Sequence, residues 1–138
     1  MAHRTHFRAL ARARLRDAGV LLDAGQWSGA YYLAGYAVEC GLKAAAAKQF
    51  TSNTIPDKNL VNKIWTHDLE LLVRLAGLGV AHAAASATDP DFDLNWQIVK
   101  DWNESARYSE WREPEARELV DAIRHRRHGV MRWVRSVW

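Results

Sequence analysis

Near the end of the chain, Arg124, His125, Arg126, Arg127 and His128 bring guanidinium and imidazole groups together, side chains that can hold an anion and move a proton near neutral pH. Arg124 and His128 are four apart, so on a helix they share one face, and with Arg127 and a neighbouring subunit they can compose a site. The plainer reading is a solvated basic face, with cations favoured toward a helix C-terminus. Arg127 stands apart from that reading. On the helical wheel it falls in the apolar seam between Ile123 and Val130, where a guanidinium either snorkels past the core or meets a carboxylate.

A second constellation lies in Trp27–Phe50, WSGAYYLAGYAVECGLKAAAAKQF. Tyr32, Tyr36, Glu39 and Lys43 follow one another at helical spacing and form a narrow polar face. Leu33, Ala34, Ala37, Val38, Gly41, Leu42, Ala44 and Ala45 cover the rest of the circumference. Such a helix belongs inside a bundle, so Glu39 needs a partner. Arg14 occupies an apolar wheel position between Phe7, Leu10 and Leu21 of the preceding helix, and a short Gly25–Gln26 turn brings the two helices together; this predicts an Arg14–Glu39 ion pair. The Arg107–Tyr108 pair can converge on the same polar face. The resulting groove either takes a ligand or serves as a buried polar tie that specifies the fold.

The elements that position these groups are helical. Apolar residues at helical spacing predict a first helix over His3–Ala24, with Arg8, Arg12 and Arg16 beside its buried face. Thr51 to Asn59 reads as a polar surface loop. Thr66 is a candidate N-cap for a helix over His67–Ala76, with His67 in its first turn either exposed or lining a groove. A short helix follows at Ala81–Ala87, and Asp89–Pro90–Asp91 opens another over Phe92–Glu104, in which Trp96 and Trp102 read as core, with base stacking by one of them as the alternative. Ser105 to Arg112 is a connection. Glu113–Pro114–Glu115 then starts a final helix running to about Val137, which Gly129 can bend.

The 138 residues suffice for one domain with a single core, and few prolines, many alanines and no period-two alternation argue against strands. The expected architecture is all-α: an antiparallel up-and-down bundle of four long helices plus one or two short ones. One cysteine, Cys40, lies among apolar wheel neighbours and reads as core. The histidines have no metal-ligand spacing, no Gly-rich loop cradles phosphate, and neither a metal nor a cofactor is expected. No apolar run spans a membrane and the N-terminus has no signal-like pattern, so a cytoplasmic location is expected. The net charge of +3 is modest, but arginines crowd the first and last helices, which allows a basic patch.

The order of ARLRDAGVLLDAGQW, YLAGYAVECGLKA, THDL and RYSEW, from about Phe7 to Val134, resembles the HEPN domain family: small helical proteins, largely prokaryotic, often found beside a minimal nucleotidyltransferase. The resemblance implies a helical bundle that pairs as a homodimer, and a groove for nucleotide or RNA near the second helix. Nuclease members carry an Arg, four to six residues and then a His; without metal, the pair orients phosphate and moves the proton of the RNA 2′-hydroxyl. This chain departs from that pattern, because no arginine is followed at those spacings by a histidine, and Arg107 meets Arg112, Glu113 and Pro114 there. The expectation is therefore a non-catalytic module that binds a protein partner, RNA or a nucleotide, as half of a toxin–antitoxin or defence pair with a nucleotidyltransferase. The alternative is a metal-independent endoribonuclease built on Arg124, Arg127 and His128. Trp133 and Trp138, expected as exposed aromatic ends on a basic helix, favour a homodimer or partner interface.

Overall fold

A computed structural model describes residues 3–50 and 55–138. The described chain is all-α: α1 (Arg4–Asp23), α2 (Trp27–Ala47), α3 (Lys58–Ile64), α4 (Leu69–Leu75), α5 (Gly79–Thr88), α6 (Pro90–Val99), a 3₁₀ helix (Glu104–Tyr108), α7 (Glu113–Arg124) and α8 (Val130–Val137). Two helices are long rather than four. The helices α1 and α2 form the expected hairpin, closed by a tight turn in which Gly25 takes a φ of 75° that a side chain would oppose.

Helix α2 lies at the centre, with α1, α4, the 3₁₀ helix, α7 and α8 packed around it. Its small residues set the spacing. A Cβ on Gly35 would enter the space of the buried Trp102 ring, and one on Gly41 would sit 2.7 Å from Val134 Cγ1. The buried faces of α4, α6, α7 and α8 then complete one core around Leu42, Leu69, Leu72, Trp96, Leu119, Ile123 and Val134. Cys40 belongs to it, and burial pushes its thiol up to about 11.

Three expected boundaries move. Part of the Thr51–Asn59 loop, Thr51 to Thr54, lies outside the described residues, and from Lys58 onward the chain is helical, because Asp57 caps α3 by accepting from the Asn59 backbone N–H at 2.8 Å. Asp68, not Thr66, caps α4, which leaves His67 ahead of the helix. Helix α6 stops at Val99, and Asn103 caps the 3₁₀ helix by accepting from Ser105 N–H at 2.9 Å.

The largest change is the division of the final helix. The His125 ring folds back so that Nδ1 accepts from the backbone N–H groups of Arg127 (3.2 Å) and His128 (3.0 Å), which diverts them from a helical ladder. Gly129 then passes so close to the preceding backbone that a Cβ would lie 2.7 Å from Ile123 O. The remaining helix, α8, packs back onto α2. Its end is not an exposed aromatic tip: Trp138 is 4% exposed, beneath Arg8 and Arg12, whose guanidiniums lie 5.4 and 4.9 Å from its ring centroid, and Trp133 is half-buried against His82 and Phe92. Among the described residues no single helix is long and apolar enough to cross a membrane.

Candidate functional site

The polar face of α2 is covered rather than open. Glu39 is 2% and Lys43 5% exposed, and Lys43 Nζ donates to Glu39 Oε2 at 3.1 Å one helical turn away. The other Glu39 oxygen, Oε1, accepts from His67 Nδ1 at 2.7 Å, and His67 Nε2 lies 3.0 Å from Glu104 Oε2 at the surface. Both oxygens of a buried carboxylate therefore have partners, the condition for keeping it charged inside a core. The expected Arg14–Glu39 pair does not form. Arg14 Nε is instead 3.1 Å from Asp17, one turn along α1, in a direction too oblique for a hydrogen bond; the i, i+3 neighbour is simply closer than the far side of α2. His67 supplies what Arg14 was expected to, because the 65–68 turn lays it over α2.

Further along α2 the tyrosines do gather with Arg107 and Tyr108. Tyr32 stacks on Tyr36 at 6.1 Å between centroids and lies 5.9 Å from Trp102. Arg107 sits 4.8 Å over the Tyr108 ring, and contact with the Tyr108 and Tyr32 side chains pushes its pKa up. Burial, with Cys40 beside it, raises the Tyr36 hydroxyl to about 12. Arg107 and Tyr108 are exposed while Tyr32 and Tyr36 are half-buried, so this is an aromatic shelf with a single cation.

The cluster at residues 124–128 is divided by the break it sits on. Arg124 ends α7, lies 3.6 Å from Asp121 one turn back on the same helix, and reaches Gly19 of α1. His128 turns the other way: its Nδ1 donates to Asp89 Oδ2 at 2.7 Å, and its Nε2 is 3.8 Å from Asp91 Oδ2 at the start of α6. Asp89 also caps Phe92 N–H, and these bonds hold its carboxyl below the usual range, the His128 bond most of all. Arg127 is exposed, not seated between Ile123 and Val130, because the helical wheel that put it there ends at Arg124. Arg124 and His128 therefore line two different cavities.

The cavity on the Arg124 side gathers four guanidiniums. About 610 Å³ in volume, it is walled by Arg12 and Arg16 of α1, Arg124 of α7 and Arg135 of α8, with apolar Leu15 and Met131 beneath and the exposed Val20 at its edge. Arg12 and Arg16 are one turn apart, and the folding of α8 back across the core brings Arg135 to them. Asp23 is the acidic residue on this wall. The sequence carries the signal for half of this groove, the arginines of α1; the other half depends on the break after Arg124. The pairing of His128 with Asp89 and Asp91 has no signal at all in spacing, since His128 and Asp89 are 39 residues apart.

No family model matches this chain, and neither the curated proteins nor the solved structures contain a significant match.

Proposed function

We propose that this protein is a non-catalytic, HEPN-like helical module that binds RNA along the groove between α1 and the α7–α8 end. The observation that carries the reading is the convergence of Arg12, Arg16, Arg124 and Arg135 from three helices on one apolar-floored cavity. Guanidiniums so arranged suit a phosphate backbone, each able to fork across two phosphate oxygens, while Leu15, Val20 and Met131 offer contact to sugar or base faces. A non-catalytic role is supported by the separation of Arg124 from His128, whose Nδ1 is already engaged by Asp89. The up-and-down bundle, the homodimer and the nucleotidyltransferase partner of a toxin–antitoxin or defence pair belong to the same reading and rest on the motif order.

The test is fluorescence anisotropy of a labelled single-stranded RNA with the purified protein in EDTA, beside Arg16→Ala/Arg135→Ala. We expect saturable binding at low salt that weakens at least tenfold in the double variant, with the circular dichroism spectrum unchanged. Equal binding by both proteins refutes the groove. Loss of intact RNA in the same tubes, abolished by His128→Ala, would favour the endoribonuclease instead.

A further inference from the structure

On the opposite side of α8 from the arginine groove, we propose that His128 and Asp91, with Asp89 behind the imidazole, bind a first-row divalent cation of the zinc class. One ligand atom from each of the three side chains lies within 4.8 Å of the others. The arrangement is more specific than proximity. His128 Nδ1 is taken up by Asp89 Oδ2 at 2.7 Å, which leaves Nε2 as the ring nitrogen available to an ion. Nε2 lies 3.8 Å from Asp91 Oδ2, beyond hydrogen-bond reach. An ion bound tetrahedrally at about 2.0–2.2 Å by imidazole nitrogen and carboxylate oxygen separates its ligand atoms by roughly 3.3–3.6 Å, so the gap is a few tenths of an ångström wider than an ion needs. A carboxylate on the far nitrogen of a ligating histidine is also the arrangement that orients the ring and raises its basicity.

Asp89 and His128 are held by bonds the ion would not disturb. The other Asp89 oxygen, Oδ1, caps Phe92 N–H, the His128 carbonyl accepts from Asn95 Nδ2 at 2.9 Å, and the His128 N–H is fixed on the His125 ring. Asp91 has no bond within this set and 69% of its side chain is exposed, which leaves it free to close onto an ion. The two carboxylates supply the negative charge that balances a divalent ion. The adjoining cavity of about 300 Å³ also carries Arg127 and Arg132, so the positions of the ion left open to that cavity suit an anionic oxygen ligand or water. Imidazole with carboxylate selects zinc-class ions over calcium or magnesium, which prefer all-oxygen shells. An ion here would staple the 125–129 segment to α6.

The experiment is calorimetric titration of the EDTA-stripped, buffer-exchanged full chain with ZnCl₂ in a non-chelating buffer, beside Asp91→Ala, His128→Ala, Asp89→Asn and a His3→Ala/His6→Ala control. We expect one saturable site, at least tenfold weaker in Asp91→Ala and His128→Ala and unchanged in the control. Asp89→Asn keeps an N-cap acceptor and so keeps the fold, but loses the charged partner of the ring, which weakens binding by about 10–100-fold. Nitrogen-15 spectra of the imidazoles give a second readout, in which zinc shifts His128 Nε2. Absence of saturable binding up to about 1 mM, equal affinity in the Asp91 and His128 variants, or a His128 ring that does not respond each overturns the site.

Discussion

If RNA lies along the arginine groove, its affinity must fall steeply with salt, and the slope counts the cations engaged. For a single strand, log K falls against log salt by about 0.7 per phosphate neutralised. Four contacts, from Arg12, Arg16, Arg124 and Arg135, set an upper slope of about −2.8, so raising monovalent salt from about 50 to 200 mM should weaken binding roughly 50-fold. Arg12 is stacked on Trp138 and Arg124 lies 3.6 Å from Asp121, while Arg16 and Arg135 have no ion pair among the described residues. Removing these last two in Arg16→Ala/Arg135→Ala should halve the slope to about −1.4, leaving only about a sevenfold loss over the same salt range. Anisotropy titrations at four salt concentrations, in EDTA, read both slopes. A wild-type slope shallower than about −1, or one unchanged by the double substitution, would refute the assignment of the phosphate path to this groove.

Three further outcomes follow from the core. Gly35→Ala should lose about 1–3 kcal/mol in urea unfolding, although alanine favours a helix by up to about 1 kcal/mol, because the new methyl overlaps the buried Trp102 ring; equal or greater stability would mean that Trp102 is not packed there. Glu39→Leu should cost about 3–5 kcal/mol by stranding the buried Lys43 ammonium, and Glu39→Leu/Lys43→Leu should recover most of it, whereas additive losses would deny the pairing. His82, packed edge-on against Phe92, Trp96 and Trp133, has its pKa lowered by burial, so the unfolded chain takes up its proton first. Stability should therefore fall as pH drops below about 6.5 and level off once the folded state also protonates. Thermal melts of His82→Phe, compared with wild type across that window, should lack this component.

How much of this was legible depends on whether a feature is local. The burial of α2 is written in its own residues, because small and apolar side chains cover all but the narrow face of Tyr32, Tyr36, Glu39 and Lys43, and Glu39 stands out as a charge that the core must satisfy. Its partner was not legible. A helical wheel places Arg14 on the right face of α1 but cannot say that a flexible guanidinium finds Asp17 one turn away, while His67 reaches Glu39 across 28 residues from a turn whose path depends on the packing of α4 against α2. The four-helix expectation failed for a similar reason. Ala116, Val120 and Ile123 keep the same apolar period as Val130, Val134 and Val137, so periodicity alone carries the final helix straight through His125. The break depends on a single imidazole accepting two backbone N–H groups and on Gly129 closing against the Ile123 carbonyl.

That break also decides what the basic cluster can do. On a continuous helix, Arg124 and His128 would stand one turn apart on one face, close enough to share a phosphate. With the chain turned after Arg124, the guanidinium faces α1 and joins three other arginines, and the imidazole faces α6 and joins two carboxylates. Arg124 and His128 then feed two different surfaces, one suited to anions and one to a cation, on either flank of α8. Restoring helix through 125–128 would bring the pair back together, so Gly129→Ala, with His125→Ala to release the two backbone N–H groups, is the substitution that would set Arg124 and His128 on one face. If RNA cleavage in EDTA appeared in that variant and was absent from wild type, the separation of the two side chains, rather than any missing group, would be what keeps the chain inert.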